Sequence, residues 1–305
     1  MKIGVSLTTS HPLRQPARQV GAQLVERARA IRAAGLDSLF VGDHHATPAH
    51  YFQNVPTIAR LMAETSDMMV GALYLVPLHH PVLTAEHLGT LWALAGGPFV
   101  MIAAAGDGEE QFAPFGVSVR RRPSMLEEHL TIIRELLSGR PITYHGRYHQ
   151  LTDVQIHPTP DASLPIWIGA SARPALQRAG ALGDAWLASP AAHGEHLTTQ
   201  IDIYCQAASA AGRRPVLTAR RDVYVGESDA EAEAAVRPVL ERGYRGFQTD
   251  ALIYGGPERV LAAFHELHEL GFEHVLIRHI VPDQGLVLAS YERLGRDVLP
   301  VAHTW

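Results

Sequence analysis

The step Asp43-His44-His45 offers the most chemistry per residue in this chain. A histidine beside a carboxylate can serve as a general acid or base near neutral pH, or as a hydrogen-bond donor to a bound ring. Two glycine-rich turns add places where a backbone could approach a ligand: Gly106-Asp107-Gly108-Glu109 and Gly169-Ala170-Ser171-Ala172-Arg173. The second precedes a helix at Pro174, whose N-terminal N–H groups and dipole favour a phosphate, and Arg173 could add a fork of donors. Taken alone, the second turn reads better as a tight strand-to-helix connection with Ser171 as a helix cap, and the first is a Gly-rich turn of the same sort. Neither is a Walker loop, since no Gly-Lys-Ser/Thr follows, and no Gly-x-Ser-x-Gly elbow or His-Glu-x-x-His helix occurs. The adjacent pairs His44/His45 and His79/His80 make poor metal sites as pairs, because neighbouring residues on an extended chain face opposite ways. Cys205 falls inside a helical stretch and is rejected as a nucleophile.

The elements that must position these residues alternate along the whole chain. Predicted strands are Lys2–Leu7, Asp37–Val41, Met68–Leu75, Phe99–Ala104, Pro165–Ile168, Asp184–Leu187, Leu217–Val225 and His274–Ile277. Helical periodicity separates them over Ala17–Gly35, Val55–Glu64, Val82–Ala95, Met125–Leu137, Pro174–Leu182, His196–Ala211, Asp229–Arg242 and Pro257–Leu270, and a last helix lies near Leu286–Leu294. Strands joined by crossover helices imply a parallel sheet, and eight such units close a (β/α)8 barrel of the α/β class. A doubly wound open sheet is the weaker alternative, because the stretch after the first strand, SLTTSHPLRQP, lacks the glycines of a dinucleotide fingerprint. The segment Pro141–Leu164 breaks the rhythm with a hairpin and a Pro-punctuated loop. It is expected as an insertion after the fourth helix in one barrel domain spanning residues 1–305.

In a barrel, chemistry lies where strands end, and here Thr8–Ser10, Asp43–His45, Gly106–Glu109, Gly169–Ser171, Ser189 and Arg278–His279 all fall at strand ends. The 305 residues carry 26 Lys+Arg against 31 Asp+Glu, a balance of −5 that argues against a nucleic-acid binder. A single cysteine excludes an internal disulfide and fits a reducing compartment. The first residues lack the apolar run of a signal peptide or membrane span, so a cytoplasmic protein with no membrane or nucleic-acid partner is expected.

Taken in order, LDSLFVGDHH, VGALYLVPLHHPVLTAEHLGTLWALAGGPFVM, AAGDGEEQFAPFGV, RRPSMLEEHLTIIRELLSG, PIWIGASARPALQRAGALGDAWLA and GGPERVLAAFHELHELGFEHVLIR resemble the luciferase-like flavin-dependent oxidoreductase family. Its members are (β/α)8 barrels that use reduced FMN or the deazaflavin coenzyme F420. The resemblance implies monooxygenation or hydride transfer on a small organic substrate, with His44 as catalytic histidine and Asp43 beside the ring. It implies that Gly71–Leu75 is the strand that bulges behind the ring, with Leu73 and Tyr74 against the ring and joined by a non-proline cis peptide. Gly106, Asp107, Gly108, Gly169, Ala170, Ser171, Ala172 and Arg173 would contact the ring edge, ribityl chain and phosphate, and Glu109 corresponds to an acid of deazaflavin sugar-phosphate dehydrogenases. It further implies a homodimer and a separate flavin or F420 reductase. Two positions depart from the family: Ala105 replaces the phosphate-binding arginine of bacterial luciferase-like members, and Pro48 replaces the tryptophan that follows the Asp-His step in sugar-phosphate dehydrogenases. FMN and F420 therefore stand nearly even. The rivals are a non-catalytic flavin-binding protein and a metal-dependent barrel hydrolase using His44; no metal site is predicted.

Overall fold

The computed structural model describes residues 1–244 and 249–305. Eight parallel strands, β1 (Lys2–Leu7), β2 (Ser38–Val41), β3 (Met69–Leu75), β4 (Phe99–Ala104), β5 (Ile166–Ala170), β6 (Ala185–Ala188), β7 (Leu217–Val225) and β8 (Phe272–His279), pair in the order β6-β5-β4-β3-β2-β1-β8-β7. Pairing of β6 with β7, from Trp186↔Leu217 to Ala188↔Ala219, closes the ring. The expected α/β barrel is thus observed.

Helices α1 (Ala17–Ala33), α2 (Asn54–Thr65), α3 (Pro81–Leu94), α4 (Arg122–Leu137), α5 (Arg173–Leu182), α6 (Gly194–Ala210), α7 (Asp229–Glu241), α8 (Pro257–Glu269) and α9 (Gln284–Arg293) cover the outside. Each buries one stripe: Val20, Leu24, Ala28 and Ile31 on α1, and Leu126, Leu130, Ile133 and Leu137 on α4, spaced three or four residues apart as packing on a sheet requires.

Strand alternation divides the core in two. Ile3, Val5, Leu39, Val41, Tyr74, Ala103, Ile168 and Val275 face the helices. Phe40, Val100, Ile102, Trp167, Ala185, Leu187 and Leu276 fill the lumen, joined by Met69, Leu73 and Val216. Phe40 stacks on Trp167 with centroids 5.2 Å apart, and Ser38 and His274 share a buried hydrogen bond of 2.8 Å beneath them. At Gly71 a Cβ would overlap the Phe40 ring, so this layer has no spare room.

Several boundaries differ from expectation. β5 runs on to Ala170, because Gly169 and Ala170 ladder with Leu187 and Ala188, so these two belong to strand and not to the turn. α5 then starts at Arg173, and its N-cap is Ala172 without a side-chain cap, so Ser171 does not cap it. β8 extends to His279 because β7 keeps pairing with it as far as Val223↔His279. A further short strand, Leu252–Gly255, adds to the outer side of β7, and Ser10–His11 pairs antiparallel with His50–Tyr51. The hairpin predicted after the fourth helix forms from Ile142–His145 and Gln150–Val154. It is clamped to α4: the Glu128 carboxylate accepts the N–H groups of Arg147, Tyr148 and His149 at 2.8–2.9 Å.

Candidate active site at the barrel mouth

Registers of the strands decide which side chains line the upper lumen. Cross-strand partners share a face, so pairing of Leu73 with Ile102, Gly169 with Leu187, Arg220 with Leu276 and Asp222 with Arg278 carries Leu73, Gly169, Arg220, Asp222 and Arg278 into the lumen above the Phe40–Trp167 layer. Arg278 Nε donates to Thr8 Oγ1 at 3.3 Å, joining the ends of β8 and β1. Polar groups thus replace apolar ones one turn of the pleat higher.

His44 follows the end of β2 and is half-buried, its ring 5.6 Å from that of Tyr51. Gln53 Nε2 donates to the His44 carbonyl at 3.2 Å and fixes the loop. Tyr51 lies over the Gly42 backbone, where a Cβ would stand 2.6 Å from its hydroxyl oxygen. Burial raises the Tyr51 pKa. The neighbouring Phe52 turns away and lies by Gly21 of α1, so only Tyr51 of that aromatic pair walls the mouth.

Asp43 does not stand beside His44 at the surface of the mouth. Its side chain is 0% exposed and clasped by three groups. Oδ2 accepts the Leu75 N–H at 2.8 Å and lies 2.7 Å from His79 Nε2, and Oδ1 lies 3.1 Å from His45 Nε2. Burial alone would raise its pKa, but the two imidazoles outweigh that and hold the carboxyl at about 2.

These contacts belong to a wedge between β2 and β3. The β2 ladder ends at Val41↔Ala72, while β3 stays paired to β4 through Tyr74↔Ala103 and Leu75↔Ala104. The backbone groups that β2 no longer reaches are satisfied by side chains: Asn54 Nδ2 donates to the Leu73 carbonyl at 2.7 Å, and Asp43 accepts from Leu75. The expected cis bond at Leu73–Tyr74 is not found; among the described residues His157–Pro158 is the only cis peptide. Continued pairing with β4 keeps the Leu73–Tyr74 segment in the ladder. Tyr74 also faces the helices, fully buried, and its side chain is outside the lumen.

Gly106 and Gly108 adopt φ of 76° and 80°, the left-handed conformation that makes glycine the fitting residue in this turn. Asp107 points outward, its side chain 95% exposed and paired with Arg122 at 3.0 Å, and Glu109 is exposed at the start of the helical turn Glu109–Phe112, whose Gln111 and Phe112 are buried. At the other turn, Gln200 of α6 donates to the Ser171 carbonyl at 2.9 Å, and Ser171, Ala172 and Arg173 are exposed. The structure thus brings His44, Tyr51, Leu73 and Gly169 to one opening. The Asp107 side chain turns away from it and Tyr74 lies behind the sheet. Sequence reasoning missed Asn54 and Glu128 and set His79 aside as half of a poor metal pair; an asparagine opening a helix reads as a cap, and only the fold reveals that it caps a strand.

Comparison with known proteins now adds to this geometry. The family model for luciferase-like monooxygenases matches residues 1–251. The chain belongs to the luciferase-like monooxygenase family. It is an enzyme, an oxidoreductase. A relative, the F420-dependent glucose-6-phosphate dehydrogenase of Beutenbergia cavernae, is 29% identical over 88% of this chain and 89% of its own length. Dehydrogenases of that name from Nakamurella multipartita and Microbacterium testaceum match over about half of their own length, 53% and 52%. Two solved structures share the fold: an F420-dependent secondary alcohol dehydrogenase in complex with an F420-acetone adduct (TM-score 0.82, 18% identity, 99% of this chain and 98% of that one), and the oxygenating constituent of 3,6-diketocamphane monooxygenase from Pseudomonas putida with FMN (TM-score 0.82, 19% identity, 98% of each chain). This luciferase-like protein contains, among its described residues, no helix long and apolar enough to cross a membrane.

Proposed function

We propose that this luciferase-like oxidoreductase holds a reduced deazaflavin or flavin, F420 or FMN, across the barrel mouth and acts on a small organic substrate beside His44. The observation that carries the reading is the contrast at Gly169. A Cβ there would meet nothing closer than 3.9 Å, so the protein's own packing does not demand the glycine, whereas a flat ring laid over the lumen would. F420 is the first choice, because the relative matched over 88% of the chain is F420-dependent. FMN is the second, supported by the FMN-containing neighbour of the same fold.

The cofactor would supply hydride transfer, or oxygen activation in the FMN case. Leu73 and Gly169 would support the ring from below, and the turns Gly106–Glu109 and Gly169–Arg173 would meet its edge and phosphate-bearing tail, with the start of α5 as the anion-binding end. His44 would hold or deliver a proton at its imidazole, with Tyr51 fixing the ring by contact. Asp43 would position the His44 loop through the backbone and the flanking imidazoles. Glu109, exposed at its helical turn, would reach a substrate only at the rim. Family resemblance further supports a cytoplasmic homodimer served by a separate flavin or F420 reductase.

Titration of the apoprotein with F420 and with FMN, followed by absorbance and fluorescence, tests this directly. Saturable binding of F420 is expected; binding of FMN alone would reassign the cofactor, and binding of neither would overturn the reading. His44→Ala should then lower turnover by about 10²–10⁴-fold with cofactor affinity retained.

A further inference from the structure

The two histidine pairs that make poor metal sites as pairs each contribute one member to a single cluster. His45 comes from the loop after β2, His79 from just beyond the helical turn Val76–Leu78 that follows β3, and Asp43 lies between them, with one ligand atom from each residue within 4.8 Å of the others. The rings of His45 and His79 are 5.3 Å apart, and Phe115 packs edge-on against His45 at 5.1 Å. Neither His44 nor His80 belongs to the cluster.

We propose that Asp43, His45 and His79 bind one divalent transition-metal ion of the zinc class, with water completing the coordination. The donor set of two imidazoles and one carboxylate suits Zn²⁺ and its neighbours Co²⁺, Ni²⁺ and Cu²⁺. Donor atoms around a tetrahedral Zn²⁺ stand about 3.3 Å apart, given bonds of about 2.0–2.1 Å. The Asp43 oxygens stand 2.7 Å from His79 Nε2 and 3.1 Å from His45 Nε2, a little inside that spacing, and the three donor atoms lie within 4.8 Å of one another, so small side-chain shifts would seat the ion.

A second observation points the same way. Asp43 Oδ1, His45 Nε2 and the Tyr74 hydroxyl are all buried without a well-formed hydrogen bond. Tyr74 is fully buried and meets the His79 ring edge-on at 5.3 Å. One cation satisfies the first two atoms at once, and a water on that cation gives the tyrosine hydroxyl its partner. The Leu75 N–H, already bonded to Asp43 Oδ2 at 2.8 Å, orients the carboxylate as outer groups do around bound metals. The ion would tie the ends of β2 and β3 across their wedge, outside the lumen and independent of cofactor.

The test uses the full chain stripped with chelator and titrated with Co²⁺ and with Zn²⁺ in competition with a chromophoric chelator, with and without F420. One equivalent is expected to bind, with the intense visible absorption of four-coordinate Co²⁺ and a raised unfolding temperature. His45→Ala and His79→Ala should each weaken binding by at least about tenfold, Tyr74→Phe should weaken it by less, and His80→Ala should leave it unchanged. Circular dichroism verifies that each variant is folded; if a variant is not, the wild-type stoichiometry and Co²⁺ spectrum decide. Less than one equivalent bound to wild-type protein, or affinity unaltered in folded His45→Ala and His79→Ala, would overturn the proposal. The cofactor titration can succeed or fail without altering any of these outcomes.

Discussion

The lower and upper halves of the barrel lumen are built from the same eight strands, yet they solve opposite problems. Below, Phe40, Trp167, Val100, Ile102 and Leu276 interlock so closely that Gly71 has no room for a Cβ. Above, two residues further along, Gly169 follows Trp167 and Arg278 follows Leu276, and with Arg220 they leave an opening lined with polar groups. A step of two residues keeps the facing and changes the role, so one strand can carry stability at its base and chemistry at its end.

That division can be attacked at either level. Trp167→Ala removes a stacked ring from the packed layer and should cost about 3–5 kcal/mol, measured by denaturant unfolding; a loss below about 1 kcal/mol would show that the layer is not what holds the barrel. Acid should act on the same layer. Burial holds His274 neutral until about pH 4, while the unfolded chain takes up that proton near its ordinary value of 6.5. The unfolded state thus binds more protons in this window, and stability present above pH 6.5 should decline as pH falls towards 4, by up to about 3 kcal/mol from this residue. In folded His274→Asn the acid limb of the stability curve should flatten. His279, held at about 3 by burial and by the charge of Arg27, adds in the same direction.

At the wedge, Asn54→Ala strands the Leu73 carbonyl and should cost about 1–3 kcal/mol, a thermal-unfolding measurement. The upper lumen should behave differently. Gly169→Val should leave the unfolding free energy within about 0.5 kcal/mol, typical of a substitution that disturbs no packing, and should weaken cofactor binding by more than about tenfold. Equal loss of stability in Gly169→Val and Trp167→Ala would erase the distinction between the two levels.

Much of this was legible in the sequence, for a physical reason. Alternating strand and helix periods record which face each residue buries, and β1, β4 and β7 match their expected bounds to the residue. The position of His44 at a strand end followed from the same pattern. Contacts between distant segments were not legible, because periodicity carries no information about them. Nothing local to Asp43 says that His79 will reach it, or that Glu128 will gather three N–H groups from the hairpin. Tyr74 shows the finer limit: resemblance placed it at the ring, and only its register with Ala103 shows that its side chain faces the helices.

The Phe40–Trp167 stack also makes the barrel its own photometer. Gly169 lies two residues beyond Trp167 on the same strand, a rise of about 7 Å at the usual extended spacing. A chromophore seated over Gly169 lies within the range at which an excited indole hands over its energy. Intrinsic emission, with Trp167→Phe as the reference that separates this indole from the other three, therefore reports without a label whether the level above it is filled.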